Sequence, residues 1–307
     1  MAYITANPLA YGTTYSSTAL PLLDNSALNR LAGCPCAAQA AYQTPGQQLM
    51  QLQLSLYNLL TNLMQPTTHN SHKSQQQPTQ PGGKSKFNVA SFNVLGASHT
   101  TAHGNKPGLA SGAERMRGAV AALKNNDVDI AGIQEFQPEQ INQFKKLAPN
   151  FGVVTEQENS IVYNKDKFKL VDRKSFSIPY FAGGTRKMPV VQLEDKQTGK
   201  RMWVVNVHNP ADTKRFSHNA ANRAKAVAIE QDFIRQLKAT GLPVIVTGDF
   251  NERGSLDNRL GLEEGANSGV DWIFGSRGVD FSRSRTDRSV QSNGTSDHPL
   301  VVSTATV

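Results

Sequence analysis

Pro243-Val244-Ile245-Val246-Thr247-Gly248-Asp249-Phe250-Asn251 is the stretch of sequence that decides the fold. Four apolar or β-branched residues lead into Gly248, which predicts a buried strand that ends there. Asp249 and Asn251 lie two positions apart, so on an extended chain their side chains point to the same side. This places a carboxylate and a carboxamide at the carboxyl end of a core strand, where α/β sheets bind ligands. A solvated turn that closes a hairpin is the alternative.

The same arrangement recurs along the chain, because other apolar strands also end in polar residues. These residues are Asn93, Glu135, His208, Asp249 with Asn251, and Asp297 with His298, while Asp271 begins a further strand. Individually, such residues are usually caps, solvated charges or core imidazoles. Together they offer oxygen ligands for a hard cation, Mg²⁺ or Mn²⁺, and two imidazoles for proton transfer or oxyanion contact. The combination favours metal-assisted phosphoryl transfer.

Five short motifs follow one another in a familiar order. They are Ser91-Phe92-Asn93, Gly132-Ile133-Gln134-Glu135, Asn206-Val207-His208, Gly248-Asp249-Phe250-Asn251 and Ser296-Asp297-His298. This series resembles the endonuclease/exonuclease/phosphatase superfamily, which includes deoxyribonuclease I and exonuclease III. The resemblance spans about Lys86 to Val307. It implies an α/β fold in which two sheets form a sandwich, with the site at one edge of the paired sheets.

The resemblance also implies how a metal and the attacking water are held. By motif, Glu135 is the main metal ligand, Asn93 lies beside it, and Asp297 helps to hold the metal. Asp249 and Asn251 position the attacking water and the scissile phosphate.

The remaining roles concern the substrate. His208 and His298 are expected to contact the phosphate or transfer protons, and Asp271 to orient His298. Arg186 and Asn206 are expected to bind substrate, since Arg186 lies in a segment similar to one where deoxyribonuclease-like members place a phosphate-contacting arginine. A guanidinium group suits that role because it grips phosphate oxygens in a bidentate manner.

Three features depart from the family pattern. No active-site tyrosine is placed, because Tyr163 lies in the middle of a strand and is expected to pack in the core. The loop around His99 and His103 is long and is expected to overhang the site. Only about twenty residues separate Asn251 from Asp271, which leaves no room there for elaborate substrate-recognition insertions.

Hydrophobic periodicity predicts the other elements. Ser160–Tyr163 and Phe168–Val171 are predicted as adjacent strands, and two strands form a hairpin around Gln197–Gly199. The predicted helices are 113–124, 138–147 and 219–239, and the other predicted strands are 87–95, 129–133, 186–193, 201–207, 271–275 and 299–302.

The N-terminal part differs in composition from the rest. Residues 1–64 are predicted to be a largely irregular extension with one helix at about 47–64, where Leu49, Leu52, Leu56, Leu59 and Leu63 form an apolar seam. That helix either packs on the main domain or serves for self-association or docking. Residues 65–85 are rich in Gln, Thr, Pro and Gly and are interpreted as a flexible linker. The catalytic domain is predicted to cover 86–307.

Composition limits the function further. The 307 residues have a formal net charge of +8, which suits a polyanionic partner, although ordinary solubility charge explains it equally well. Cys34 and Cys36 are too close for an unstrained disulfide and are expected to be free thiols. Neither a Sec-type signal peptide nor a membrane span is visible, so a cytoplasmic location or export by a non-Sec route is expected.

These observations lead to one primary hypothesis with two alternatives. The primary hypothesis is a Mg²⁺-dependent nuclease that hydrolyses DNA phosphodiesters with little sequence preference. One alternative is a phosphatase or phosphodiesterase that acts on lipid or small-molecule phosphates. The other is a non-catalytic scaffold that docks through the helix at 47–64.

Overall fold

The computed structural model describes residues 83–307. The predicted helix at 47–64, the two cysteines and most of the linker lie outside the described residues. No helix in the described part of the chain is long and apolar enough to cross a membrane.

The described chain forms two six-stranded mixed sheets, which confirms the predicted two-sheet α/β sandwich. In chain order the first sheet contains β1 (Lys86–Asn93), β2 (Ile130–Gln134), β3 (Phe151–Glu156), β4 (Asn159–Asn164), β11 (Asp280–Asp287) and β12 (Leu300–Thr306). The second contains β5 (Phe168–Pro179), β6 (Thr185–Asp195), β7 (Arg201–His208), β8 (Val244–Asp249), β9 (Glu263–Ser268) and β10 (Asp271–Gly275). The spatial orders are β11-β12-β1-β2-β4-β3 and β5-β6-β7-β8-β10-β9.

Helices cover the outer face of each sheet. The helices are α1 (Gly112–Asn125), α2 (Pro138–Leu147), α3 (Ala220–Lys238), α4 (Leu256–Leu260) and α5 (Ser289–Ser292), with short 3₁₀ turns at Ala97–Thr100 and Phe181–Gly183. One apolar cluster joins α1 and α2 to the first sheet, and a second joins α3 and α4 to the second sheet. A third cluster fills the space between the sheets and includes Tyr163, as expected for a packing residue.

The alternation of side chains along each central strand explains where polar groups collect. On β8, Val244 and Val246 face α3, whereas Ile245 faces the other sheet. Because successive side chains alternate, Thr247 and Asp249 continue the inner face. On β1 the inner face likewise runs from Val89 through Ser91 to Asn93, and on β7 it runs from Val204 through Asn206 to His208. The space between the sheets is therefore apolar along most of its length and polar at one end.

Two predictions about strands are corrected. The predicted neighbours at 160–163 and 168–171 belong to different sheets: β4 pairs with β2 and β3, whereas β5 pairs with β6. Three strands were not predicted, namely β3, β9 and β11. All three lie at sheet edges, where partial exposure removes the clean alternation on which sequence prediction depends.

The two sheets approach each other closely at Gly132. A Cβ atom at this position would lie 2.0 Å from Oγ1 of Thr247 and 2.4 Å from Oδ1 of Asn206. Asn206 Nδ2 donates to the backbone oxygens of Ile133 (3.0 Å) and Ser160 (2.9 Å), and Asn206 Oδ1 accepts from Gln134 Nε2 (2.6 Å). This polar tie between the sheets lies directly below the polar end.

Candidate active site

Asn93, Glu135 and Asp249 form the floor of the site, and the side-chain amide of Asn93 connects the two carboxylates. Asn93 Nδ2 donates to Glu135 Oε1 at 2.9 Å and to Asp249 Oδ2 at 3.1 Å, while its Oδ1 accepts the backbone N–H of Leu95 at 3.0 Å. Asn93 is fully buried. Its amide therefore joins the carboxylates of two different sheets and holds them at a fixed separation.

Asp249 lies between two imidazoles. Nε2 of His208 and Nε2 of His298 are each 3.8 Å from its Oδ2. Its other oxygen, Oδ1, accepts the backbone N–H of Asn251 at 2.9 Å. Asn251 has a left-handed backbone conformation, with φ of 50°, and its Nδ2 donates to the backbone oxygen of Asn209 at 2.8 Å. Burial and the charge of nearby Asp271 raise the pKa of Asp249.

His298 is paired with a buried carboxylate. Its Nδ1 lies 3.0 Å from Asp271 Oδ2 and 3.1 Å from Oδ1. Burial alone lowers the pKa of an imidazole, but here the hydrogen bond and the charge of Asp271 raise the pKa of His298 to about 10. His298 is therefore positively charged at neutral pH and is held in one orientation.

His208 has the opposite surroundings. It is buried, and within residues 83–307 its Nδ1 has no hydrogen-bond partner. Burial lowers the pKa of His208 despite the nearby Asp249 and Glu135 charges. This imidazole is therefore neutral at neutral pH.

Glu135 is held as a carboxylate by several donors. Its backbone is left-handed, with φ of 58°, and its Oε2 accepts the Gly96 backbone N–H at 2.8 Å and lies 3.2 Å from Nε2 of His99. Burial raises the pKa of Glu135, but the hydrogen bonds from His99, Gly96 and Asn93 lower it overall. The predicted loop thus reaches the site through His99, whereas His103 is exposed.

A cavity of about 310 Å³ opens above these residues, and Arg186 forms part of its wall. Arg186 Nη1 is 2.9 Å from Glu158 Oε2, and its guanidinium carbon lies 4.0 Å from the centre of the Tyr180 ring. The Tyr180 ring also packs edge-on against His208, with centroids 6.1 Å apart.

Tyr180 is the site residue that the sequence reasoning missed. Its position was a usable signal, because it directly follows β5 and lies six residues before Arg186. Phe181 extends this wall and stacks on Phe216 with centroids 5.1 Å apart.

Two predicted site residues lie away from the floor. Asp297 is on the cavity rim, one-third exposed, with Oδ2 3.3 Å from Nζ of Lys106. Asn206 does not reach the cavity, because it is fully buried between the sheets and makes the hydrogen bonds described above. Its position suits a structural role.

The donor set fits a divalent cation. The potential ligand atoms of Asp249, Asp271 and His298 lie within 4.8 Å of one another. Because His298 is protonated, the donors are the carboxylates, and the Glu135 carboxylate adjoins that of Asp249 through Asn93. Burial raises the pKa of both Asp249 and Asp271, and the charge of Asp271 acts in the same direction on Asp249. Carboxylate oxygens are the ligands that Mg²⁺ and Mn²⁺ prefer, so this group of acidic side chains suits such an ion.

Comparison with known proteins agrees with this geometry. Over residues 90–298 the sequence matches the model of the Endonuclease/Exonuclease/phosphatase family. An endonuclease/exonuclease/phosphatase family protein from Bacteroides thetaiotaomicron aligns with a TM-score of 0.60 and 22% identity, covering 73% of this chain and 98% of that chain. A mannosyl-6-phosphatase from the same organism aligns with a TM-score of 0.58 and 21% identity, covering 71% and 99%.

A third solved structure is that of TDP2 from D. rerio complexed with a single-strand DNA product. It aligns with a TM-score of 0.59 and 17% identity, covering 72% of this chain and 99% of that chain. At these identities the likeness shows the fold alone. No curated protein sequence matches the chain.

Proposed function

Since the chain belongs to the endonuclease/exonuclease/phosphatase family, we propose that it is a divalent-metal-dependent phosphodiesterase that cleaves DNA with little sequence preference. The supporting observation is that Asp249 lies 3.8 Å from one neutral and one charged imidazole. This arrangement supplies a base, a fixed positive charge and a neutral donor around one point, as phosphoryl transfer to water requires.

Glu135 is the proposed holder of Mg²⁺ or Mn²⁺, with Asp297 on the rim and Asn93 beside it. Asn93 presents its NH₂ group rather than its oxygen to the carboxylates, so its contribution is to position Glu135. When bound, the cation stabilises the negative charge on the phosphoryl oxygens.

Asp249 is the proposed general base. Its raised pKa makes it a stronger proton acceptor than an ordinary aspartate, and the Asn251 N–H fixes the oxygen that does not face the imidazoles. His298, oriented by Asp271, directs a charged Nε2–H toward a phosphoryl oxygen. His208 contributes a neutral imidazole beside it, and Arg186 grips the phosphate from the cavity wall.

The net charge of +8 supports DNA as the substrate, as does the likeness to TDP2 with its DNA product. The likeness to a mannosyl-6-phosphatase favours a second candidate. This is a phosphatase that uses the same centre on sugar phosphates or other small phosphates.

The experiment is a substrate panel with the full chain. It includes a supercoiled plasmid, mannose 6-phosphate and inositol phosphates, each assayed with Mg²⁺, with Mn²⁺ and with EDTA. We expect plasmid nicking that EDTA and Glu135→Ala abolish and that Glu263→Gln, an exposed carboxylate on β9, does not affect. Phosphate release with intact plasmid would select the second candidate. Inactivity on every substrate across metals and pH would refute both.

The helix predicted at 47–64 remains a proposed self-association or docking element. Size-exclusion chromatography of the full chain, compared with a variant that lacks residues 1–85, tests it. An unchanged oligomeric state and partner content would contradict this role.

A further inference from the structure

A second cavity, of about 320 Å³, adjoins the reaction centre on another side of His298. It shares Asp297 and His298 with the first cavity, and its other charged wall residues are Arg253, Arg288 and Asp271. A substrate phosphate at His298 therefore lies between two cavities. The roles proposed above assign no function to the two arginines of the second cavity, Arg253 and Arg288.

Arg253 is exposed, and its side chain makes no hydrogen bond or ion pair with any residue between 83 and 307. Its guanidinium lies over Gly269, where a Cβ atom would be 3.1 Å from Nη1 and 3.3 Å from Cζ. Gly269 has φ of 75°, a conformation that glycine adopts without strain. The glycine thus allows the turn and leaves room for the guanidinium at the cavity wall.

Arg288 is fixed in place but not neutralised. Its Nη2 donates to Ser268 Oγ at 3.0 Å and its Nη1 to Gln291 Oε1 at 3.3 Å, and no carboxylate of the described chain forms an ion pair with it. Gln291 Nε2 in turn donates to the backbone oxygen of Asp297 at 2.8 Å. Arg288 is therefore tied to the turn that carries His298.

The charges in this second cavity do not cancel. Asp271 is paired with His298 at 3.0 Å, and Asp297 is paired with Lys106 at 3.3 Å. Both carboxylates of the wall therefore have their own cations, and the charges of Arg253 and Arg288 remain. Such an excess of guanidinium groups in a concave site favours an anion that presents two oxygens to each guanidinium, such as a phosphate.

We propose that the cavity between Arg253 and Arg288 is a second phosphate-binding subsite, which holds the phosphate next to the scissile one in a DNA strand. This inference rests on the proposed function and deepens it. A single phosphomonoester fills only the position at His298, whereas a phosphodiester chain fills both. The second cavity thus provides selectivity for a nucleic acid strand over a small phosphate.

The test compares two substrates in Arg253→Ala, Arg288→Ala and the double variant. One substrate is a thymidine trinucleotide, which has neighbouring phosphates, and the other is bis(4-nitrophenyl) phosphate, which has one. The quantity compared is kcat/KM for the trinucleotide divided by kcat/KM for bis(4-nitrophenyl) phosphate. We expect each single variant to lower this ratio about tenfold, mainly because KM for the trinucleotide increases. The matched control is Arg277→Ala. Arg277 is exposed and lies near Pro243, which precedes β8 at the end of the strand away from the site.

A binding measurement makes the inference testable without catalysis. Fluorescence anisotropy of a labelled thymidine oligonucleotide is followed against salt concentration for the full-length protein and the double variant. We expect weaker binding in the double variant and a salt slope reduced by about 0.7 for each phosphate that an arginine no longer neutralises. Because Arg288 also bonds Ser268 and Gln291, Arg288→Gln and thermal unfolding midpoints distinguish the removal of a charge from damage to the fold.

The possible failures are distinguishable. Activity on the trinucleotide with an unchanged substrate ratio and salt slope in the double variant would overturn the second subsite and leave the proposed function intact. Equal oligonucleotide affinity of the two proteins would overturn it even if no cleavage were seen. Loss of activity on both substrates by the same factor would also contradict it, whereas inactivity of the unmodified protein on every substrate would refute the proposed function.

Discussion

His208 and His298 approach the same oxygen of Asp249 from different strands, each with Nε2 3.8 Å away, but their second nitrogens have different surroundings. Nδ1 of His298 bonds Asp271, whereas Nδ1 of His208 has no partner in the described chain. The pKa of His298 is raised to about 10, and that of His208 is lowered. Because both imidazoles face the same carboxylate, Asp249 does not explain the difference between their pKa values. The difference comes from the surroundings of Nδ1, which is paired with a carboxylate in His298 and buried without a partner from the described chain in His208.

The largest effect is expected when the shared neighbour is changed. Asp249→Asn removes the proposed base and the anion that faces both imidazoles. We expect kcat/KM for DNA cleavage to fall about 10³–10⁴-fold, as measured by plasmid nicking. Asp280→Asn, an exposed aspartate paired with Lys84, is the control. A loss below tenfold would show that Asp249 is not the base.

A smaller effect is expected when the difference between the two imidazoles is removed. Asp271→Asn takes the carboxylate from His298, so the pKa of His298 should fall from about 10 toward the ordinary value near 6.5. NMR titration of the imidazole in the metal-free protein measures this directly. We expect activity to fall about 10²–10³-fold, more at pH 8 than at pH 5.5, because the neutral imidazole predominates above its pKa. Unchanged titration of His298 would contradict this account.

The wall beside His208 provides a third test. Tyr180→Leu removes the ring that packs on His208 and under the Arg186 guanidinium. A cation–π contact contributes about 0.5–2 kcal/mol, so we expect KM to increase by about 2- to 30-fold with kcat little changed. Tyr180→Phe keeps the ring and is the matched control. Equal effects of the two variants would assign the role to the hydroxyl group instead.

The smallest effect on activity is expected at Glu230, which lines neither of the two cavities at the reaction centre. This residue of α3 is buried, and its carboxylate oxygens have no partner of standard geometry within the described chain. Its polar neighbour is Asn209, which follows His208. Burial raises the pKa of Glu230 to about 8, so the unfolded chain releases this proton at lower pH than the folded protein does.

Glu230 should therefore make stability depend on pH. Below about pH 4.5 Glu230 is protonated in both the folded and the unfolded chain. As pH rises from there toward 8, only the unfolded chain loses the proton, so the free energy of unfolding decreases by up to about 5 kcal/mol. Glu230→Gln does not titrate, so we expect its advantage over the unmodified protein to be larger at pH 8 than at pH 5. Urea unfolding at both pH values measures this, with Glu263→Gln as the exposed control. An equal difference at both pH values would refute it.

Much of the fold could be predicted because the central strands obey a local rule. Their alternation of apolar and polar residues is visible in the sequence, and so are the polar residues that end them. The edge strands β3, β9 and β11 were missed because partly exposed strands lack this alternation. The assignment of β4 and β5 to different sheets depends on pairing between distant segments, which periodicity does not encode.

The candidate site divides in the same way. Motif order suggested Asn93, Glu135, His208, Asp249, Asn251, Asp297 and His298, and the start of a strand suggested Asp271. The structure brings these residues to one end of the sandwich, although their catalytic and metal-binding roles remain predictions. Asn206 lies in the same motif as His208 but two residues deeper on the inner face. There it bonds across the sheets, a difference that the motif does not reveal. Tyr180 was missed because no motif surrounds it.

By itself, the sequence determined which side chains lie on the inner face and at which strand end they emerge, because side-chain direction follows from position along a strand. Only the tertiary structure decided which imidazole is charged, which amide ties the sheets together, and which arginines have no carboxylate partner within residues 83–307. Those properties depend on burial and on neighbours that are distant in the chain, and both are created only when the two sheets pack.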